Sequence, residues 1–183
     1  MTTTLVLIDI QNDYFPGGRM PLHGSPEAGR QAHRLLSHFR RLGMPTVHIQ
    51  HVAAQELATF FLPDTEGAEI HACVAPQPGE RVVIKHFPNA FRETTLHDLL
   101  RTDGARRLAI CGMMTHMCVD ATVRAACDLG FECLLAQDAC ATRALAHGGV
   151  TVPPDHVHLA FLAALGSAYA RVESTDEILA ELS

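Results

Sequence analysis

The hydrophobic pattern changes at Gly112, within the stretch from Arg107 to Thr122, and this change constrains the fold more than any other feature of the sequence. Before Gly112, residues 108–111 form a short apolar run, which is typical of a strand buried on both faces. After it, apolar residues recur at three- and four-residue spacing, which is typical of a helix. A buried strand, a tight turn and a helix in this order predict an α/β fold.

Cys118 follows this turn closely. We expect Thr115 to cap the helix by accepting a hydrogen bond from the N–H of Cys118, which places the cysteine in the first helical turn. The exposed N–H groups and the helix dipole favour an anion there, and the thiolate is the nucleophilic form of cysteine. Cys118 is therefore a candidate nucleophile. The alternative is a buried cysteine that only fills space.

Two other apolar runs end in a charged residue. The first run opens the chain and breaks at Asp9, before a polar turn, and the second run, residues 81–84, is followed by Lys85. An open parallel sheet binds its ligands at the carboxyl ends of its strands. We therefore expect Asp9, Lys85 and Cys118 to share one crevice.

The rest of the chain alternates between strand and helix patterns. Ser25 is expected to cap the first helix, and residue 174 or 175 the last one. A strand is expected over residues 131–138, followed by a glycine break in the segment 139–152. Six strands with intervening helices predict a three-layer α-β-α, Rossmann-like fold with a doubly wound, mostly parallel sheet. The length favours a single domain over residues 1–183.

Three motifs place the chain near a known family. They are Asp9-x-Gln11-Asn12-Asp13, Lys85 after a Val-Val-Ile strand, and Gly112-Met-Met-Thr-His-Met-Cys118-Val119. With these motifs the chain resembles the isochorismatase-like cysteine hydrolases, which include nicotinamidase, N-carbamoylsarcosine amidohydrolase and ureidoacrylate amidohydrolase. The likeness runs from about Leu5 to Val172. It implies the strand order 3-2-1-4-5-6 and a homo-oligomer, either a dimer or a tetramer.

The resemblance, together with the residue types, implies a hydrolase that cleaves a C–N bond of a small amide, ureido or carbamoyl compound. Asp9 is expected to take the proton of Cys118, while Lys85 holds the carboxylate and keeps the thiolate charged. Attack on the carbonyl would give a thioester, which water activated by Asp9 would hydrolyse. The N–H groups of Met114 and Cys118 would bind the oxyanion. Relatives imply a non-proline cis peptide between Met113 and Met114.

Two other functions remain open from the sequence. An isochorismatase-type vinyl-ether hydrolase would use Asp9 and Lys85 without a cysteine nucleophile. A thiol-redox or small-ligand binding protein on the same scaffold would need a second cysteine near Cys118, such as Cys111 or Cys140. The presence of Cys118 favours C–N bond hydrolysis.

The substrate pocket is expected to be small and largely apolar. Five side chains close to the ends of the strands or to the turn are expected to line it: Gln11, Tyr14, Phe15, Phe91 and His116. His116 could equally face a subunit interface. Residues 52–80 show little periodicity and are too many for a plain connection, so we expect them to cover the site or to contact another subunit.

His48 and His51 are the histidines to consider as metal ligands. They lie three residues apart on a predicted strand, so their side chains should point to opposite faces of the sheet. Nicotinamidases carry an Asp-x-His ligand pair in the region after this strand, and no such pair occurs between Thr46 and His86. We therefore expect no metal, no cofactor and a substrate other than nicotinamide.

Composition and charge limit the kinds of partner that the protein can be expected to bind. The formal net charge of −6 and the absence of a large Lys/Arg cluster argue against a nucleic-acid surface. No apolar stretch approaches the ~18 residues of a membrane span, and the chain enters a strand without the order typical of a signal peptide. We expect a cytoplasmic enzyme whose partners are a small-molecule substrate and other copies of itself.

Overall fold

A six-stranded parallel sheet forms the centre of the structure, a computed structural model that describes residues 2–182. Within this range there are eight strands: β1 (Thr2–Ile8), β2 (Thr46–His51), β3 (Arg81–Lys85), β4 (Ala105–Met113), β5 (Glu132–Ala141), β6 (Leu145–His147), β7 (Val150–Val152) and β8 (Arg171–Glu173). The sheet has the order β3-β2-β1-β4-β5-β8, and β6 and β7 pair only with each other. Because β8 is the sixth strand of the sheet, the expected order 3-2-1-4-5-6 is confirmed.

Helices cover both faces of this sheet. They are α1 (Ser25–Arg41), α2 (Leu96–Thr102), α3 (Asp120–Asp128), α4 (Pro154–Gly166) and α5 (Thr175–Glu181). Alternate residues of β1 enter different cores: Leu5 and Leu7 pack with α1 and α5, whereas Val6 and Ile8 pack with α2, α3 and α4. The three-layer prediction is therefore confirmed. No helix in the described part of the chain is long and apolar enough to cross a membrane.

The cap expected for the first helix is wrong by one residue. Helix α1 is preceded by Gly24, which has a φ of 73°, and the Ser25 hydroxyl donates instead to the carbonyl of Leu22 at 3.1 Å. Glycine suits this position because it adopts positive φ without steric cost. The cap expected for the last helix is confirmed, since Ser174 accepts from the N–H of Glu177 in a capping box.

The segment after β5 forms a hairpin where a break was expected. Strand β5 continues to Ala141, and the antiparallel strands β6 and β7 follow. Gly148 and Gly149 join them with φ values of 57° and 78°. Two successive positive φ angles are what a two-residue hairpin turn requires, so the glycine pair that suggested a break is the turn itself.

The register of the sheet brings four strand ends to one level. Ile8 pairs with Ile49 on one side and with Gly112 on the other, and the last residue of β2, His51, pairs with Lys85. Gly112 has a φ of 133°, and a Cβ at this position would lie 2.0 Å from the carbonyl oxygen of Ile8. Only glycine allows β4 to pass β1 this closely.

Residues 52–80 lie over these strand ends. Ile70 forms an isolated antiparallel bridge with Gln11, and the N–H of Phe61 donates to Oδ2 of Asp13 at 2.6 Å. Gly67 approaches so closely that a Cβ would lie 2.3 Å from Oδ1 of Asp13. The segment is thus attached to the turn that follows Asp9, which is the position of a cover for the expected site.

At the opposite end of the sheet, the Glu80 carboxylate connects α1, β2 and β3. It accepts from Nε and Nη2 of Arg40 at 2.7 and 2.8 Å and contacts Nε2 of His48 at 3.0 Å. The hydrogen bonds from Arg40 are the main reason why the pKa of Glu80 is lowered to about 2 from its ordinary value of 4.5. The folded protein therefore favours the charged form of Glu80.

We predict that Glu80→Gln lowers the free energy of unfolding by about 2 kcal/mol at pH 7. Because the folded-state pKa is depressed, this contribution is present above about pH 4.5 and is lost as the pH falls towards 2. Urea unfolding at pH 7 and at pH 3 measures it. Glu27→Gln is the control, since Glu27 pairs with Arg30 on the exposed surface. An equal effect of the two variants at pH 7 would contradict the prediction.

Candidate active site

The side chains of Asp9, Lys85 and Cys118 meet at the carboxyl ends of β1, β3 and β4. Nζ of Lys85 lies 2.8 Å from Oδ2 of Asp9 and 3.2 Å from Sγ of Cys118. The three residues are 0%, 1% and 3% exposed, respectively. The structure therefore brings together the three side chains that the strand-end argument singled out, in a site that bulk water does not reach.

Asp9 follows β1 directly and has a φ of 50°, which is uncommon for a residue other than glycine. This conformation turns the chain sharply at the end of the strand. One carboxylate oxygen faces Lys85, and the other, Oδ1, is buried and makes no hydrogen bond elsewhere in residues 2–182. Asp9 therefore has an oxygen left to receive a proton.

Lys85 is charged and has four close neighbours. Besides Asp9 and Cys118, Nζ lies 2.8 Å from Nδ1 of His51 and donates to the carbonyl of Phe87 at 3.1 Å. Burial lowers the pKa of Lys85, but the nearby Asp9 and Cys118 outweigh it, so that the pKa is raised. The ammonium form therefore persists at neutral pH.

Cys118 lies in a single turn of π-helix, Thr115–Val119, that follows the strand. Burial raises the pKa of Cys118 well above its usual range, and the Asp9 charge raises it further, while Lys85 acts in the opposite direction. The resting side chain is therefore the neutral thiol. This direction is opposite to the expected resting thiolate, because burial and the Asp9 charge outweigh the Lys85 charge.

The peptide bond between Met113 and Met114 is cis, as the family resemblance implied. The cap assigned to Thr115 is wrong: the helical turn is preceded by Met114, and the Thr115 hydroxyl contacts Nδ1 of His158 at 2.9 Å and the carbonyl of Ala141 at 3.3 Å. The wider π-turn directs this hydroxyl towards β5 and α4. Binding of an oxyanion by the N–H groups of Met114 and Cys118 stays a prediction.

Asp9, His51 and Cys118 also form a potential metal-binding group, since one ligand atom of each lies within 4.8 Å of the others. Nζ of Lys85 lies among these atoms, 2.8 Å from Asp9 and from His51. A metal ion would have to displace this ammonium group and would be repelled by it. His48 points to the other face of the sheet and bonds Glu80, as its spacing from His51 predicted.

Tyr14 is one of the expected pocket residues and is almost fully buried. Burial raises the pKa of Tyr14 well above its usual range, and Cys118 and Asp9 raise it further. Its ring packs on Phe61 with centroids 4.5 Å apart. A cavity of about 180 Å³ lies on this side, lined by His51, Phe61 and other residues of the 52–80 segment.

Gln11 lies beneath the cover segment. Its Nε2 donates to the carbonyls of His51 and Ala68, at 2.8 and 2.7 Å, and its Oε1 accepts from the N–H of His51 at 2.8 Å. Both ends of the amide are therefore engaged by backbone groups. Gln11 holds the end of β2 against the 52–80 segment, and in this arrangement its amide is not available to a substrate.

Two expected pocket residues lie elsewhere. The Phe15 ring stacks on His71 with centroids 3.7 Å apart and packs against Gly29 of α1. Phe91 stacks on Phe131, the residue that precedes β5, and so lies towards the amino ends of the strands. The chain turns back after Lys85, and this reversal, which the sequence pattern did not reveal, carries Phe91 away from the site.

His116 is buried between β5 and α4. Its Nδ1 contacts the Thr142 hydroxyl, its ring meets Phe161 edge-on, and its Nε2 has no hydrogen-bond partner in the described residues. Burial lowers the pKa of His116, and the positive charge of Arg143 lowers it further. The imidazole is therefore neutral at physiological pH and has one unused nitrogen.

Two neighbours of the site were not singled out from the sequence. His51 was considered only as a metal ligand, although it ends β2 beside Lys85. Arg143 was passed over because β5 was expected to end at residue 138, whereas it ends at Ala141. Arg143 is exposed, and its positive charge acts on both Tyr14 and His116. Both residues lie at or just after the carboxyl end of a strand in the parallel sheet, as Asp9 does.

The sequence and the fold match one family. The family model described as Isochorismatase domain matches residues 3–177. The isochorismatase family protein YddQ of Bacillus subtilis (strain 168) is 50% identical over 179 residues, which cover 98% of this chain and 99% of that protein. An isochorismatase-family structure from Oleispira antarctica has a TM-score of 0.94 and 52% identity, and the match covers 98% of this chain and 96% of the other.

A third relative carries the name of a specific activity. Ureidoacrylate amidohydrolase RutB of Variovorax paradoxus (strain S110) is 29% identical over 172 residues, which cover 75% of this chain and 68% of that protein. The family model spans nearly the whole chain, and the strand order agrees with the fold that the family resemblance implied. The chain therefore belongs to the isochorismatase family of hydrolases.

Proposed function

We propose that the protein is a cysteine-dependent amidohydrolase that cleaves a non-peptide C–N bond of a small amide, ureido or carbamoyl compound through a thioester. The observation that carries this proposal is the contact of one buried ammonium group with both a carboxylate and a thiol: Lys85 lies 2.8 Å from Asp9 and 3.2 Å from Cys118. A nucleophile, a base and a fixed positive charge are the groups that acyl transfer requires.

The neutral thiol fits this chemistry if its proton moves within the site. Asp9 accepts the proton of Cys118 as Sγ attacks the carbonyl carbon, so the net charge of the three side chains does not change. Lys85 stays charged and stabilises the forming thiolate. This transfer avoids the cost of a free thiolate in a buried site, which is the cost that raises the pKa of Cys118 at rest.

The remaining steps use the same groups. The N–H groups of Met114 and Cys118 are proposed to bind the oxyanion of the tetrahedral intermediate. Asp9 returns its proton to the leaving nitrogen as the C–N bond breaks, which leaves a thioester on Cys118. Asp9 then takes a proton from water, the hydroxide attacks the thioester, and the released sulfur is protonated again. The products are a carboxylic or carbamic acid and an amine or ammonia.

The surroundings of the site favour a small substrate. The cavity of about 180 Å³ beside His51 is lined by Phe60, Phe61 and Leu57, which suit an apolar group. Arg143 adds a positive charge on the side of Tyr14 and His116. A substrate with a carboxylate on that side would be favoured, and the amidohydrolase name of one relative supports C–N cleavage.

The two alternatives are less well supported. A vinyl-ether hydrolase would need only Asp9 and Lys85, whereas here Cys118 also contacts the ammonium. A thiol-redox protein would need a second cysteine. Of the two cysteines considered for this role, Cys111 belongs to the core on the other side of the sheet from Cys118, whereas Cys140 lies in the same core cluster as Cys118. No disulfide joins any of the six cysteines in the described residues.

The proposed mechanism makes a prediction about turnover. Cys118→Ala and Asp9→Asn should each reduce ammonia release by at least about a thousandfold, and the double variant should be hardly worse, because groups that act in one step are strongly non-additive. Asparagine suits position 9 because it tolerates positive φ. The measurement is ammonia release from a panel of small amides, ureido acids and carbamoyl compounds, each with and without a carboxylate. Full activity of Cys118→Ala would favour the vinyl-ether alternative.

Another prediction needs no substrate and follows from the causes of the Cys118 pKa. Asp9→Asn removes the charge that raises this pKa, so alkylation of Cys118 by iodoacetamide at pH 7 should become about tenfold faster or more. Lys85→Ala removes the charge that lowers it, so alkylation should slow. Peptide mass mapping reads each cysteine separately, with half-buried Cys73 as the internal comparison. Slower labelling of Cys118 in Asp9→Asn would contradict the assignment.

We also propose that the protein forms a homo-oligomer, with the 52–80 segment in the contact. Leu57 of this segment is 91% exposed, and Leu159 on α4 is the next candidate at 66%. Light scattering should give a multiple of the chain mass, and Leu57→Glu should reduce it more than Leu159→Glu does. A monomeric wild type would refute the proposal, and a monomer produced only by Leu159→Glu would move the contact to α4.

A further inference from the structure

His51 contacts the catalytic lysine but has no part in the steps described so far. It is the last residue of β2 and the register partner of Lys85, so the two side chains extend from the same face of the sheet. Nδ1 of His51 lies 2.8 Å from Nζ of Lys85, whereas it lies 3.9 Å from Oδ2 of Asp9. The direct contact of the imidazole is therefore with the ammonium.

The backbone of His51 is fixed independently of its side chain. Its N–H donates to Oε1 of Gln11 and its carbonyl accepts from Nε2 of Gln11, both at 2.8 Å. The side chain is only 15% exposed, and its ring packs near Phe61 with centroids 5.8 Å apart. The backbone from which the imidazole extends is thus held without any contribution from Lys85.

The imidazole is in the neutral state that can accept a hydrogen bond from Lys85. Burial lowers the pKa of His51 to about 4, the charge of Lys85 contributes in the same direction, and Asp9 opposes it. Because Lys85 can only donate, Nδ1 accepts the hydrogen bond and the ring proton resides on Nε2. The charged and titratable groups that act on the ring are Lys85, Asp9 and the neighbouring His86.

An acceptor at this place solves a geometric problem of Lys85. A lysine side chain is a flexible stem with a point charge, and an attractive carboxylate alone would leave its ammonium free to rotate about Asp9. Nδ1 of His51 and the carbonyl of Phe87 supply two further fixed acceptors, at 2.8 and 3.1 Å. Together they hold Nζ at the point where it also reaches Sγ of Cys118.

We infer that His51 is a positioning residue, whose neutral Nδ1 holds the Lys85 ammonium between Asp9 and Cys118. The inference rests on the proposed function, since it gives His51 a role in the reaction through Lys85. The inference also explains the potential metal-binding group at the site. The carboxylate of Asp9, the imidazole of His51 and the sulfur of Cys118 surround an ammonium group instead of a metal ion.

Three substitutions separate this role from simple filling of space. His51→Asn keeps an acceptor near the place of Nδ1, His51→Gln moves the acceptor towards the place of Nε2, and His51→Leu removes it. We expect His51→Asn to stay within about threefold of the wild type in kcat and in Cys118 alkylation at pH 7. We expect the other two variants to lose about tenfold or more in both, with KM less affected.

Either of two results would overturn the inference: wild-type values for His51→Leu, or equal losses in all three variants. The second result would mean that the ring acts otherwise, for example as the base. Failure of the proposed function has a different signature, in which Cys118→Ala keeps full activity whatever residue stands at position 51.

The contact itself can be tested without any turnover. Titration of the His51 ring by NMR should give a pKa near 4 in the wild type and a higher value in Lys85→Ala, because the lysine charge is one cause of the depression. The other histidines, such as His23 in its exposed pair with Asp155, serve as references. An unchanged His51 titration in Lys85→Ala would refute the contact, even if the proposed function were correct.

Discussion

The buried charge of Lys85 is the constraint on which the site depends. Removing an ammonium group from water costs several kcal/mol, and this cost is offset only if acceptors of good geometry replace the water. Here the acceptors come from four places in the chain: Asp9 after β1, His51 on β2, the backbone after β3 and Cys118 after β4. The strand ends must therefore lie close to one level, and the parallel register, with Gly112 against Ile8, achieves this.

The sequence was sufficient to predict the sheet and to bring Asp9, Lys85 and Cys118 to one site. A run of apolar residues that stops at a polar one marks the end of a parallel strand. It was insufficient wherever the chain reverses direction through contacts distant in sequence. Phe91 was placed at the site because no local pattern shows that the chain reverses direction after Lys85. Thr115 was expected to cap an α-helix because the sequence does not distinguish a π-helical turn from an α-helical one. The expected thiolate at Cys118 rested on the helix dipole and Lys85 alone, whereas in the folded protein burial and the Asp9 charge raise the pKa of this thiol.

The polar residues after Asp9 illustrate a second limit of sequence reasoning. Gln11 was expected to line the substrate pocket, because it lies close to the end of the first strand. Its two ends are instead engaged by the backbone of His51 and Ala68, so it acts on the site only by fixing other residues. Asp13 does the same for Phe61. Such roles depend on which groups lie within 3 Å, and a motif gives no information about that.

The cover also contains a loop whose base is closed. The N–H of Ala53 donates to the carbonyl of Phe61 at 2.8 Å, and the hydrogen bond to Asp13 fixes the same residue, while Leu57 at the tip is 91% exposed. Doubling the length of such a loop costs only about 0.6 kcal/mol in closure entropy. Residues 54–60 can therefore change in length and in side chains at little cost to the fold, and under the proposed function such changes would alter the wall of the cavity beside His51 while Asp9, Lys85 and Cys118 remain in place.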